Sequence, residues 1–269
     1  MAPGSDPETL KRLAREIREK RELTRSLSLA SRRQRYMLPR KLDLPGYEIA
    51  SVYLPCSEVS GDFYDMLKLD EDYTALFIGD VAGHGIEAAL LMGMAKKTMA
   101  IYSRLYRQPA EVLAKSNDEL AGDLDAETFI TGIYCLLEVP TGRLTLARAG
   151  HPKPVLYNPQ RSPAWSYVEA RGLVMGMTRG ETYRKSISEV EILLSPGDLL
   201  FFYTDGLVEA RDRDKETFGQ DRMLEVILER GERGPRSLIS GMVRRVEEFL
   251  AGREPQDDIT LIAVKRTGA

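Results

Sequence analysis

The chain has 269 residues, 43% of them hydrophobic and 29% charged, with a formal net charge of −3 at pH 7. That balance suits a soluble globular fold with a sizeable core, and a sequence pI near 5.7 argues against a nucleic-acid-binding protein, which is usually basic. No apolar run approaches the roughly 18 residues of a membrane span, and the opening MAPGSDPE lacks the apolar stretch of a signal peptide. The expectation is a cytoplasmic chain with neither nucleic acid nor membrane as partner. Cys56 and Cys135 fall in strand-like apolar runs and read as reduced, buried thiols.

Residues 8–38 contain no Pro or Gly and are dominated by strong helix formers. Leu10, Leu13 and Ile17 keep a helical spacing that Leu23, Leu27, Ala30, Gln34 and Met37 resume. The stripe is narrow and the rest of the helix is mostly charged, a poor fit to a globular core. Two readings stand: a solvated helix lying along the domain, or a dimerisation or relay helix whose seam needs a partner. Pro39 and Pro45 mark its exit. This gives an N-terminal helical extension over 1–44 and a folded domain over 45–269.

Within that domain the texture turns to strands at 47–54, 63–69 and 73–80, the last two joined through the turn 70–72. A helix fits 85–106, with Ile86, Ala89, Leu90, Gly93, Met94, Ile101 and Leu105 forming one apolar stripe. Pro109 starts another helix to about Leu120, with Leu113 and Leu120 facing inward. A hairpin over 128–139 and 143–150 follows, then strand-like pieces at 153–157, 183–193 and 198–204. Two helices come after Gly219, and a buried strand at 258–264 closes the chain. Strands in blocks between pairs of helices favour antiparallel sheets covered by helices over regular parallel crossovers, an α+β class.

The stretch FIGDVAGHGIEAALL (77–91) organises the chemistry. A carboxylate leaving a buried strand at a glycine-rich turn, as Asp80 does, is either a phosphate-site element or a metal ligand. Three more Asp-bearing turns echo it: VSGDFYD around Asp62, YTDGLVE around Asp205, and PQDDIT with Asp257 and Asp258. Singly these are weak, because Asp is common in turns. Placement at the ends of apolar strands makes them convergent, and several carboxylates together repel unless cations compensate. Hard oxygen ligands with scarce His and Cys point to Mg²⁺ or Mn²⁺ rather than zinc. His84 stands near Asp80 in sequence, a candidate for proton transfer or support of the site. His151, in AGHPKP, reads as a loop residue with substrate contact as its alternative. No GxSxG elbow and no phosphate-loop lysine occur, which disfavours a serine hydrolase and a nucleotide-binding loop.

In this order VSGDFYD, FIGDVAGHGIEAALL, TFITGIY, ARAGHPKP, SPGDLLFFYTDGLVEA and QDDITLIAV resemble the stage II sporulation protein E-like serine phosphatases, the bacterial regulatory branch of the metal-dependent type 2C protein phosphatases. The match covers about 45–266. It implies a four-layer α-β-β-α sandwich of two antiparallel sheets, and two Mn²⁺ or Mg²⁺ ions bridged by Asp80, with the carbonyl of Val81 on one. Asp205 and Asp257 would hold the other ion, Asp62 would bind ions or their waters, and Asp258 would support. His84 comes four residues after Asp80, where eukaryotic relatives place a His two after, and the phosphate-binding Arg of those relatives has no counterpart. The implied reaction is hydrolysis of phosphoserine or phosphothreonine on a regulatory protein, the family's usual substrate being an anti-sigma-factor antagonist. The implied partners are that phosphoprotein and, through helix 8–38, a second copy or a regulator. The competing readings are a silent phosphoprotein-binding module of the same fold and a two-metal phosphoesterase acting on a small phosphate.

Overall fold

Strands whose residues are apolar without alternation must be covered on both faces, and that requirement sets the architecture. The computed structural model describes residues 7–39, 43–83 and 85–268. Helix α1 (Pro7–Met37) precedes β1 (Tyr47–Leu54), β2 (Phe63–Lys68), β3 (Tyr73–Val81), α2 (Ile86–Leu105) and α3 (Pro109–Leu120). Then come β4 (Ile130–Glu138), β5 (Arg143–Ala149), β6 (Val155–Tyr157), β7 (Trp165–Tyr167), α4 (Gly180–Ser186), β8 (Glu189–Leu193) and β9 (Leu199–Tyr203). The short α5 (Asp205–Glu209), α6 (Gly219–Arg230), α7 (Pro235–Leu250) and β10 (Ile259–Arg266) complete the order. One sheet runs β1-β10-β9-β6-β7 and the other β2-β3-β4-β5-β8, and every pairing within them is antiparallel.

Period two sorts the side chains into three cores. On β3, Phe77 faces α2 and α3, while Leu76 and Ile78 face the other sheet. On β9 and β10, Phe201, Tyr203, Leu261 and Ala263 pack under α6 and α7, while Leu200, Phe202, Ile262 and Val264 close the space between sheets. The result is helix, sheet, sheet, helix, the sandwich expected. Gly79 lies opposite Phe63, where an added Cβ would stand 2.5 Å from the ring, so a side chain there would push the strands apart.

Three expectations change. The piece read as a strand over 183–193 divides into α4 and β8, because Tyr183 is drawn fully into the core beside α3 and the Asp118 carboxylate accepts the Gly180 N–H at 2.7 Å, holding the start of α4. Tertiary contacts override the β preference of this short stretch. On α2, the stripe of Ile86, Leu90, Met94, Ile101 and Leu105 faces outward, all five exposed. The buried face is made of Ala88, Met92, Ala95, Lys96, Met99, Ala100 and Ser103, whose small and polar members hide it from a hydrophobicity count. Cys56 lies in the turn after β1 and is half-buried; Cys135 is buried on β4, and both are free thiols.

Lys96 enters that buried face because it meets the Asp65 carboxylate of β2, both side chains nearly enclosed. The pair ties α2 to the edge of its sheet. Removing one partner strands a buried charge, so Lys96→Ala should lower stability by about 3 kcal/mol, measured by urea unfolding. Pairing Lys96→Met with Asp65→Leu should recover most of the loss, and a single variant no less stable than wild type would rule out this role.

Candidate metal centre

The register that builds the inter-sheet core continues one step past the apolar residues at a single end of the sandwich. Tyr64 pairs with Ile78, and the same spacing carries Asp62 toward Asp80. Asp80 pairs with Thr131 of β4. Across the cleft, Phe202 pairs with Ile262, and the next inward positions are Thr204 and Thr260, joined by Thr204 N–H to the Thr260 carbonyl at 3.1 Å. Asp205 opens α5 directly after β9, and Asp257 and Asp258 lead into β10. Alternation therefore delivers the carboxylates to the mouth of the core with a floor of threonine hydroxyls beneath.

Asp62 is fully buried; its Oδ2 accepts the Thr204 hydroxyl at 2.9 Å, and that hydroxyl accepts the Thr260 N–H at 2.9 Å. Asp258, also buried, has both oxygens committed to backbone: Oδ1 accepts the Cys56 N–H at 2.8 Å and Oδ2 the Gly61 N–H at 3.0 Å. It thereby fixes the turn between β1 and β2. The Asp258 N–H in turn reaches Asp257 Oδ1 at 2.8 Å. Two glycines permit the closeness. A Cβ on Gly61 would stand 2.7 Å from the Val81 carbonyl oxygen, and one on Gly206 would stand 2.1 Å from the Asp258 carbonyl oxygen. The Gly-Asp and Asp-Gly steps are thus demanded by close approach of one backbone segment to another beside the carboxylates.

The electrostatics are those of crowded anions. Burial first, then the neighbouring Asp80, pushes the Asp62 carboxyl well above the usual carboxylate range, an effect the Thr260 and Thr204 hydroxyls partly offset. Burial, then Asp205, Asp257 and Asp258, pushes Asp80 up to about 8. Burial and Glu209 raise Asp205. The charges that act most strongly on Asp62 and Asp80 are those of other carboxylates, a donor set that fits hard divalent cations.

The structure brings Asp62, Asp80, Val81, Asp205, Asp257 and Asp258 to one end of the fold, while His84 lies outside the described residues. His151 is fully buried, its Nδ1 2.8 Å from the Thr131 hydroxyl. Burial and the nearby Arg148 lower its pKa to about 3, so it is a neutral strut beneath the cluster and offers no surface to a substrate. Sequence reasoning passed over Thr204, Thr260 and Cys56. The threonines were findable, since Thr260 follows Asp258 by two residues and must share its face of the strand. Cys56 was not: its sulfur comes within 4.8 Å of the ligand oxygens of Asp257 and Asp258 only through the fold, and burial with Asp258 pushes its thiol up to about 12.

The sequence profile of Stage II sporulation protein E matches residues 70–267. Among curated proteins, the chain is 28% identical to Protein IcfG of Synechocystis sp. over 261 residues, covering 87% of this chain and 40% of that protein. It is 28% identical to Phosphoserine phosphatase RsbU of Bacillus subtilis over 249 residues, covering 91% of this chain and 71% of that one. The chain thus spans well under half of IcfG and most of RsbU. Its fold superposes on the SiaA-PP2C domain of Pseudomonas aeruginosa with a TM-score of 0.79 at 21% identity, covering 92% of this chain and 98% of that one. It superposes on the RsbU and RsbW domains of Rv1364c from Mycobacterium tuberculosis with a TM-score of 0.69 at 26% identity, covering 84% and 61% respectively. By the profile match, which takes in most of the sandwich, the chain belongs to the stage II sporulation protein E family.

Proposed function

We propose that this chain is a metal-dependent protein serine/threonine phosphatase that hydrolyses phosphoserine or phosphothreonine on a regulatory protein of the anti-sigma-factor-antagonist kind. The observation that carries the reading is the convergence of Asp62, Asp80, Asp205, Asp257 and Asp258 at one end of the sandwich, where burial first and neighbouring carboxylates second raise the pKa of Asp62, Asp80 and Asp205. Membership of the family and the similarity to RsbU support the activity.

In this reading Asp80, the Val81 carbonyl, Asp205 and Asp257 would hold two Mn²⁺ or Mg²⁺ ions, and Asp62 would bind the ions or their waters. Such ions, when bound, supply an acidified water and neutralise phosphoryl oxygens. The chain's own residues supply position. Thr204 orients Asp62 through its hydroxyl. Asp258, with both oxygens on backbone amides, holds the turn over the site in place of ligating. Gly61 and Gly206 leave room for the backbone at Val81 and at Asp258 to come close. The domain boundary we favour keeps the helical extension to residues 1–44. We further propose that the exposed seam of α1, with Leu10, Leu13, Ile17 and Leu23 on the surface, pairs with a second copy or a regulatory partner. Among the described residues no helix is long and apolar enough to cross a membrane.

Three measurements test this reading. With Mn²⁺ the chain should hydrolyse p-nitrophenyl phosphate and a phosphoserine peptide, and Asp80→Ala or Asp205→Ala should lower kcat by about a thousandfold. Inactivity with every divalent metal would favour the silent binding module, and preference for a nucleotide over the phosphopeptide would favour a small-phosphate esterase.

The second measurement is thermal unfolding after chelation. Folded Asp80 keeps its proton to about pH 8, whereas an ordinary Asp ionises near 3.8. Its stabilising contribution is therefore complete below pH 3.8 and is lost as the pH rises through 8. Asp80→Asn stays neutral and should melt above wild type at pH 8, with a gap that narrows toward pH 5. Equal melting at both pH values would contradict the crowded-carboxylate account. Third, sedimentation should show a dimer that becomes a monomer when residues 1–28 are deleted; a monomeric intact chain would leave a regulatory partner as the occupant of the seam.

A further inference from the structure

Gln34 is a polar residue in the apolar stripe of α1, and its environment differs from that of every other described side chain on that helix. Those others are exposed or half-exposed, while Gln34 is 6% exposed. Its amide makes a two-way clamp on the backbone of Ser60: Nε2 donates to the Ser60 carbonyl at 2.7 Å, and Oε1 accepts the Ser60 N–H at 3.0 Å. The Tyr53 hydroxyl donates to the same Oε1 at 3.2 Å. Ser60 is itself fully buried, so without Gln34 both of its backbone groups would sit unpaired out of reach of water, which natural structures rarely tolerate.

What Ser60 holds is the cluster. Its hydroxyl accepts the Asp62 N–H at 3.1 Å. The next residue, Gly61, donates its N–H to Asp258 and lies against the Val81 carbonyl. Two residues of chain therefore separate the last turn of α1 from Asp62. The arrangement on the far side is rigid by comparison, since Asp80 stands on a strand paired along its whole length with β4. Asp62 and Gly61 hang on a turn whose shape is set by Gln34 on one side and Asp258 on the other.

We propose that Gln34 is a positioning residue of the metal centre: by fixing Ser60 it sets Asp62 and the Gly61–Asp258 contact where ions bind. This rests on the metal-site reading above. The working unit then begins inside α1, well before the residues 70–267 covered by the family profile. Loss of the clamp lets the turn 59–62 sample other shapes, and the fraction of chains competent for the ion falls in proportion.

The test is Mn²⁺ titration of the 269-residue chain by calorimetry, with amide hydrogen exchange on the metal-free protein. Gln34→Met keeps the size and removes the hydrogen bonds. It should bind Mn²⁺ about 5- to 10-fold more weakly, speed exchange in segment 59–62 and leave β3 and β4 unchanged. The Mn²⁺ concentration for half-maximal phosphatase rate should rise by a similar factor, while the rate at saturation falls less. Gln34→Glu, which keeps the acceptor for Ser60 N–H and Tyr53, should fall between. Unchanged Mn²⁺ affinity and unchanged exchange in Gln34→Met would overturn the proposal. If that variant does not fold, Tyr53→Phe removes one of the three bonds and should shift both readouts the same way by about twofold; no shift would overturn it equally. A wild-type chain that binds no Mn²⁺ would remove the metal reading itself, whereas exchange at 59–62 would still report whether Gln34 holds the turn.

Discussion

The constraint on which the rest of the structure depends is the repulsion among carboxylates held at the dry mouth of a sandwich buried on both sides. Two antiparallel sheets packed face to face create one enclosed layer, and period-two alternation decides which residues enter it. At its open end, the positions that would otherwise carry leucine or isoleucine carry Asp62, Asp80, Thr131, Thr204, Thr260 and Asp258. A charge there loses most of its hydration, and its neighbours are charges of the same sign. The fold tolerates this through three devices: hydroxyls beneath Asp62, two backbone amides on Asp258, and protons retained on Asp62 and Asp80 well above their usual range. The first two are permanent. The third is exchangeable, and a divalent ion satisfies the same need with more charge in the same place.

The surrounding scaffold is consistent with that demand. β3, which bears Asp80, and β9, which leads to Asp205, are buried along most of their length, and Asp80 is backed across the ladder by Thr131, which His151 braces from below. The neutral ring of His151 adds no charge to an already charged region. Asn117 and Asp118 of α3 fix the segment 176–180 through the Gly176 N–H, the Thr178 carbonyl and the Gly180 N–H, and Met175 bridges to Ile130 beside the same end of the sandwich. Rigid supports of this kind make a site that is formed before its ligands arrive.

Much of this was legible in the sequence because the signals were local. Strands in blocks between pairs of helices announced antiparallel sheets covered by helices, and the Asp-bearing turns at the ends of apolar strands announced a shared edge. What was not legible depended on the third dimension. The outward stripe of α2 and its inward row of alanines, methionines and Lys96 are both helical in period, and hydrophobicity alone picks the wrong one, because a small-residue face packs more tightly than a large-residue face. Tyr183 looked like a strand residue until the core beside α3 claimed it. Gln34 read as one more position of the α1 stripe, and its role needs the backbone of a segment 26 residues away.

The positions of β1 and β2 in their sheets have a practical corollary. Each is the outermost strand of its sheet, β1 covering β10 and β2 covering β3. The opposite borders are guarded by short strands, one of them β8 with glutamates at its first and third positions. Residues 1–69 lie ahead of the segment that carries the family profile, so a fragment cut at that border would shed both outer strands together. β3 and β10, buried along most of their length, would then present unpaired backbone and apolar side chains along two open margins, the situation in which sheets recruit other chains edge to edge. β1 and β2 thus shield the margins of the sandwich as well as flanking the Asp62 turn.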